Sequence, residues 1–257
     1  MELTNQNYFS VEANREYFSV SQFKSFKECE ERAMAEVTGR YIRPETKDLL
    51  MGSYVDAYFS GEMPMFEMEH PEIWNSRTGA LKSDFAKCDE IISRAESDKM
   101  FMDYVSGEMQ IVMTGEIFGV KWKIKVDSLH DDKIVDMKLM KDIEPVFKDG
   151  ERKTFIDAWG YDIQGFVYQQ IVAQNTGKIL PFYLAVMTKE RATNIEIIHI
   201  PDYRLKSAGE LVRYYTPHFA RIKAQEIPPT RCERCDWCRA TKVITKPIEY
   251  DDLVDEL

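Results

Sequence analysis

The chain has 257 residues, 44% of them hydrophobic and 12% aromatic, enough to bury a substantial core, and its 34 basic and 44 acidic side chains leave a net charge of −10. That balance excludes a generally basic surface, so any phosphate-binding function would need positive charge gathered locally. No stretch approaches the roughly eighteen apolar residues of a membrane span, residues 1–5 lack the basic start and apolar run of a signal peptide, and five cysteines in such a chain favour free thiols or a metal site over disulfides; the expectation is a cytoplasmic protein.

Past an opening loop, Ser19 and Ser21 can cap a helix whose apolar residues Phe23, Phe26, Ala33, Met34 and Val37 recur at helical spacing up to Gly39. A second helix covers 49–58 and carries Asp56. Residues 60–84 are rich in turn formers and methionine and read as a long connection with one helical turn. Residues 84–104 are helical again, with Phe85, Cys88, Ile91, Ile92 and Ala95 on one side, which makes Cys88 a small buried hydrophobe.

Strand signals follow. Residues 110–118 form a strand bearing Glu116, whose first expected partner is a nearby lysine and whose second role is help at a metal. Residues 120–129 and 133–140 then read as a hairpin around His130-Asp131-Asp132. Alternation puts Lys121, Lys123, Lys125 and Asp127 on one face of the first strand, and Asp136 with Lys138 on one face of the second. Pairing can gather Asp127, Asp136 and Lys138, and two hard carboxylates beside an ammonium suit a divalent metal that polarises a phosphate. The three lysines would form a positive track leading to it, an alternative to a merely solvated strand face.

Residues 151–176 read as one long helix with Phe155, Trp159, Ile163, Phe166 and Ile171 as its buried stripe and Tyr161, Gln164 and Tyr168 sharing another face. Two apolar strands, 180–188 and 195–200, and an amphipathic helix over 206–222 complete an α/β (mixed α+β) chain with a central sheet of about five strands flanked by helices. After Pro228-Pro229 comes Cys232-x-x-Cys235-x-x-Cys238, the spacing of three successive ligands of an iron–sulfur cluster; zinc or reduced thiols are the alternatives. The whole chain, 1–257, is expected to be one domain: a helical part over 19–104, a sheet-and-helix core over 110–225, the cysteine-rich segment over 228–242 and an acidic tail over 243–257.

Asp127, eight residues, Asp136, one residue and Lys138 resemble the motif of the PD-(D/E)xK nucleases. Gln164-x-x-x-Tyr168 is similar to the motif that follows the catalytic strand in their RecB-type members, and the serine cap followed by Cys29 resembles the amino-terminal motif of the same group. The resemblance extends to the phage RecE-like (exonuclease VIII-type) exonucleases and, more distantly, to lambda exonuclease and AddB-type domains. It implies a restriction-endonuclease-like core and Mg2+- or Mn2+-dependent exonucleolytic hydrolysis of linear duplex DNA in phage-type recombination, with a single-strand annealing protein as partner, no membrane, and a homo-oligomer as one form of assembly. Asp127 and Asp136 would hold the metal, with Asp56 where relatives place a histidine and Glu116 as a weaker candidate; Lys138, Gln164 and Tyr168 would complete the catalytic set. Lys121, Lys123, Lys125 and Tyr161 are the DNA-binding candidates, and Cys29 would join Cys232, Cys235 and Cys238 around a [4Fe-4S] cluster, although the last two cysteines stand closer together than in those relatives. Three other readings are open: a binding module with a degenerate metal site that uses the cysteines and the lysine face, a RecB/AddB-like iron–sulfur nuclease acting on single strands, and a regulatory partner with an acidic docking surface.

Overall fold

Residues 1–250 are described by a computed structural model; of the predicted acidic tail, 251–257 lie outside the described residues. Alternating apolar residues draw β1 (Glu108–Ile117), β2 (Val120–Leu129) and β3 (Ile134–Met140) into antiparallel succession. The polar segment after β3 makes a separate small hairpin of β4 (Val146–Lys148) and β5 (Glu151–Lys153). A crossover then returns the chain as β6 (Phe182–Thr188), parallel to β3, and β7 (Ile195–Ile200) closes the far edge antiparallel to β6. The order β1-β2-β3-β6-β7 is the mixed five-stranded sheet expected from the sequence.

Eleven α-helices and one short 3-10 helix, Pro71–Ile73, surround it among the described residues. The first seven are α1 (Val11–Glu16), α2 (Val20–Glu28), α3 (Glu30–Thr38), α4 (Lys47–Ser60), α5 (Met63–Glu69), α6 (Ser83–Glu96) and α7 (Lys99–Val105). The others are α8 (Phe155–Trp159), α9 (Tyr161–Thr176), α10 (Asp202–Lys223) and α11 (Asp236–Ala240). Because side chains alternate along a strand, the sheet offers two apolar faces. Trp122, Ile124, Phe182 and Leu184 pack under α2, α3, α9 and α10, whereas Val135, Met137, Ala185 and Met187 pack under α4, α6 and α7. None of these helices is long and apolar enough to cross a membrane.

Three predicted helices prove to be broken, each for a local reason. The one expected over 22–37, after the serine cap, divides at Cys29, whose extended backbone (φ −165°, ψ 112°) ends α2 and opens α3. The one over 84–104 divides where Asp98 accepts the Phe101 backbone N–H at 2.9 Å and starts α7. The one over 151–176 begins as strand β5, makes the short α8 and breaks at Gly160, whose φ of 63° suits glycine and resets the helical phase. That reset removes Trp159, which is 46% exposed, from the expected buried stripe. The long connection holds a full helix, α5, rather than a single turn.

Helix α9 is buried on two sides, because it lies between the sheet and α10. Gly165 allows the approach: a Cβ there would come within 2.7 Å of both Phe182 and Leu205. The close contact sets Gln164 and Tyr168 against β2 and β3.

Candidate active site

Strands β2 and β3 pair only at Ser128↔Val135 and Leu129↔Ile134, then diverge. Asp127 stands where they part, and its Oδ2 accepts the backbone N–H of Met137 at 2.9 Å in place of a ladder carbonyl. Asp136, 1% exposed, accepts a hydrogen bond from Gln164 Nε2 on Oδ1 at 2.6 Å. Its Oδ2 forms an ion pair with the Lys138 ammonium but makes no hydrogen bond of good geometry. Lys138 Nζ also donates to its neighbour's carbonyl, Met137 O, at 3.1 Å.

Helix α4 brings Asp56 into the same electrostatic field. Burial, with the Asp136 charge adding to it and Lys138 and Lys125 opposing, pushes the Asp56 carboxyl up to about 6. Burial and then Asp136 hold the Asp127 carboxyl well above the usual carboxylate range. Lys138 behaves oppositely: burial works against its charge, yet Asp136 and Asp127 keep its ammonium above the usual lysine range. Three carboxylates around one ammonium, with one buried carboxylate oxygen lacking a hydrogen bond, are a donor set that a hard divalent cation would complete. The trio stays open, because its oxygens are not among the sets that converge within 4.8 Å among the described residues.

The other nominated residues divide. Tyr161 is half-buried, and its ring lies 5.4 Å from Lys138 Nζ and 5.2 Å from Lys24 Nζ. Lys24, on α2, was not singled out from the sequence, since it sits between two core phenylalanines and looks like an ordinary solvated lysine. Burial above all, with Lys138 next, lowers its ammonium to about 8 against the pull of Asp136 and Asp162. Tyr168 is buried, stacks edge-on against Phe182 and donates to the carbonyl of Lys125 at 3.0 Å, so it braces β2 rather than facing an open site.

The positive track does not exist as drawn. Residues 8–18, expected as loop, lie across β2: Phe18 N donates to Lys121 O at 2.8 Å and Lys123 N donates to Phe18 O at 2.7 Å. Lys123 is 1% exposed, with its ammonium on Tyr8 O and, at 2.8 Å, on Asn14 Oδ1, so it is not available to DNA. Lys121 pairs with Glu16 at 3.1 Å. Lys125 alone of the three reaches the acids, lining a cavity with Asp56 and Asp127. Glu116 is a further correction: it stands opposite Lys121, six positions along the ladder from the residue facing Asp127, or about 20 Å at ~3.3 Å per residue. It forms no ion pair among the described residues, Lys121 having taken Glu16 instead, and it cannot serve a metal at Asp127.

A second centre lies elsewhere. The break at Cys29 turns its thiol toward the carboxyl-terminal segment, where Cys29, Cys232, Cys235 and Cys238 bring their sulfurs within 4.8 Å of one another and Cys29 Sγ is 3.6 Å from Cys238 Sγ. Burial pushes the Cys29 thiol up to about 12, whereas backbone N–H groups of Arg234 and Cys235 outweigh partial burial at Cys232 and bring it down to about 6. Cys88 is apart, buried under α4 with its thiol directed at Met51 O, 3.8 Å away.

Residues 19–241 match the protein family described as a PDDEXK-like domain of unknown function, DUF3799. A crystal structure of a protein from Eubacterium rectale, provisionally named an exonuclease, is similar over 100% of both chains, with 45% sequence identity and a TM-score of 0.96. None of the curated proteins matches the chain.

Proposed function

The chain belongs to the PDDEXK-like domain family, and from that premise we propose that it is a metal-dependent DNA exonuclease of the PD-(D/E)xK superfamily. The observation that carries the reading is the opening between β2 and β3, where Asp127, Asp136 and Lys138 meet. The provisional name of the Eubacterium rectale protein supports the exonuclease assignment.

Asp127 and Asp136, with Asp56 beside them, would hold Mg2+ or Mn2+, which supplies Lewis-acid polarisation of a phosphate and a more acidic water. Gln164 fixes the rotation of the Asp136 carboxylate through its hydrogen bond to Oδ1. Lys138, kept protonated by the two acids, places a positive charge where negative charge grows on the phosphate oxygens. Lys24, Tyr161 and Lys125 flank the acids and would meet the flanking backbone phosphates. Tyr168 acts through the carbonyl of Lys125 by holding β2 in place.

The resemblance to RecE-like enzymes supports linear duplex DNA as substrate and a place in phage-type recombination beside an annealing protein. Four converging thiols would suit a [4Fe-4S] cluster, as they would a zinc ion, and the role of either would be structural, since hydrolysis needs the hard oxygen ligands of the other site. Digestion of end-labelled linear and closed circular DNA with and without Mg2+ tests the proposal. Shortening of linear DNA from its ends, with circles spared, is expected; cleavage of closed circles would replace the exonuclease by an endonuclease, and inertness toward both would end the reading.

A further inference from the structure

Between α4, α5 and the first two strands lies a cavity of about 390 Å³, a size that holds small organic ligands. Asp56 and Asp127 form part of its wall, while Lys138, Tyr161 and Gln164 do not line it. It is therefore a space on one side of the reacting centre only.

Gln110 enters it from β1. In the ladder it falls between Met109↔Ser128 and Ile111↔Val126, directly opposite Asp127. Its φ of 55° lies in the left-handed region that side-chain-bearing residues avoid. The residue is 7% exposed, and its Oε1 is shielded without a hydrogen-bond partner. A strained backbone and an unsatisfied amide at one position, beside a candidate reacting site, are the kind of local cost that a binding position retains. The terminal torsion is roughly two-fold, so a flip of about 180° exchanges the amide oxygen for the nitrogen at the cavity.

The rest of the lining says what the ligand is. Glu62 and Glu69 repel a phosphate, which belongs at the lysines across the site. Phe9, 71% exposed, and Met65 offer an apolar surface, with Lys125 Nζ 5.4 Å from the Phe9 ring centroid. A flat, uncharged heterocycle with donors and acceptors on its edge satisfies all of these walls, and an amide is suited to reading such an edge.

We propose that this cavity receives the base of the nucleotide adjoining the scissile phosphate, with Gln110 hydrogen-bonding its edge and Phe9 stacking on its face. The proposal rests on the nuclease reading. It requires the terminal base to leave its stack before the bond is cut.

Duplexes carrying a terminal 2-aminopurine, a normal base or an abasic residue supply the test. Binding is followed by 2-aminopurine emission in Ca2+, and cleavage in Mg2+. Wild-type protein should prefer the normal end over the abasic one by about tenfold in kcat/KM, the effect of one good base-edge contact. In Gln110→Gly, which also relieves the backbone, the preference should shrink to within about twofold of one. In Phe9→Ala, an independent variant at the rim, emission from the bound 2-aminopurine should be brighter than in wild type, because a quenching ring is gone. Cleavage that ignores the terminal base in wild type and both variants would overturn the pocket and leave the nuclease. A terminal 2-aminopurine that responds to binding through Phe9, with no cleavage in Mg2+ or Mn2+, would uphold the pocket and overturn the nuclease.

Discussion

Gln164 Nε2 donates to Asp136 Oδ1 at 2.6 Å, joining a helix to a strand 28 residues earlier in the chain. The amide leaves the carboxylate one defined orientation, and Gln164→Ala would let it rotate toward Lys138. A 10- to 100-fold loss of kcat or metal affinity is expected, roughly the effect of removing an outer hydrogen bond from a metal ligand. Steady-state rates at saturating DNA with a Mg2+ titration provide the measurement; unchanged values for both would remove Gln164 from the site.

Lys138→Ala should lower kcat by about 10²–10³, the usual cost of losing one preorganised charge-stabilising donor. Wild-type turnover in that variant would end the assignment.

Asp127→Asn keeps an oxygen for the Met137 N–H and removes one of three crowded negative charges. Metal-free, the variant should be more stable than wild type by about 1 kcal/mol, as is common where function has kept like charges together. Its Mg2+ or Mn2+ affinity should collapse. Chemical denaturation and calorimetric titration separate the two effects, and a less stable apo-protein would contradict the crowding.

Lys24→Ala tests the cation that pattern reading passed over. One phosphate contact fewer should weaken DNA binding and reduce the slope of log Kd against log salt by about 1. A variant with the wild-type slope would place Lys24 in the fold alone.

Lys223 offers a stability test remote from the acids. Burial, with Lys123 next, lowers its ammonium to about 7, and its nitrogen donates to Tyr17 O at 2.6 Å and Gln22 Oε1 at 3.1 Å. A depressed lysine means that the unfolded chain binds a proton which the native protein lacks between about pH 7 and the usual lysine value. Stability contributed by this group should therefore rise as pH climbs from about 7 toward 10, by up to about 1.4 kcal/mol per pH unit. In Lys223→Met that rise should be smaller, as read from urea midpoints across the window; identical slopes would refute the depressed ammonium.

Much of this architecture could be read from residue patterns, because alternation in β2 and β3 is a local property. It put Asp127 apart from Val126, and Asp136 with Lys138, before any packing was known. The Gln164–Tyr168 spacing likewise survived, although Tyr168 turned inward, since at its position α9 is pressed against β2 and Phe182. What escaped depended on distant segments. Lys123 looked like a surface residue until Tyr8 and Asn14 closed over it, and nothing in the alternation of β2 announces that cover. Gly160 did carry a turn signal, but the apolar spacing across it was regular enough to hide a break in helical phase.

Cys29 and Cys238 stand 209 residues apart with their sulfurs 3.6 Å from each other. Joined through a metal centre or a disulfide, they make most of the chain a closed ring. Pulled by its ends in an optical trap, such a molecule could lengthen only by the segments outside the ring. On the order of 700 Å of contour, at ~3.3–3.6 Å per residue, would stay hidden until the centre ruptured. A protease nick inside the ring would likewise leave two pieces travelling as one until a chelator or reductant released them.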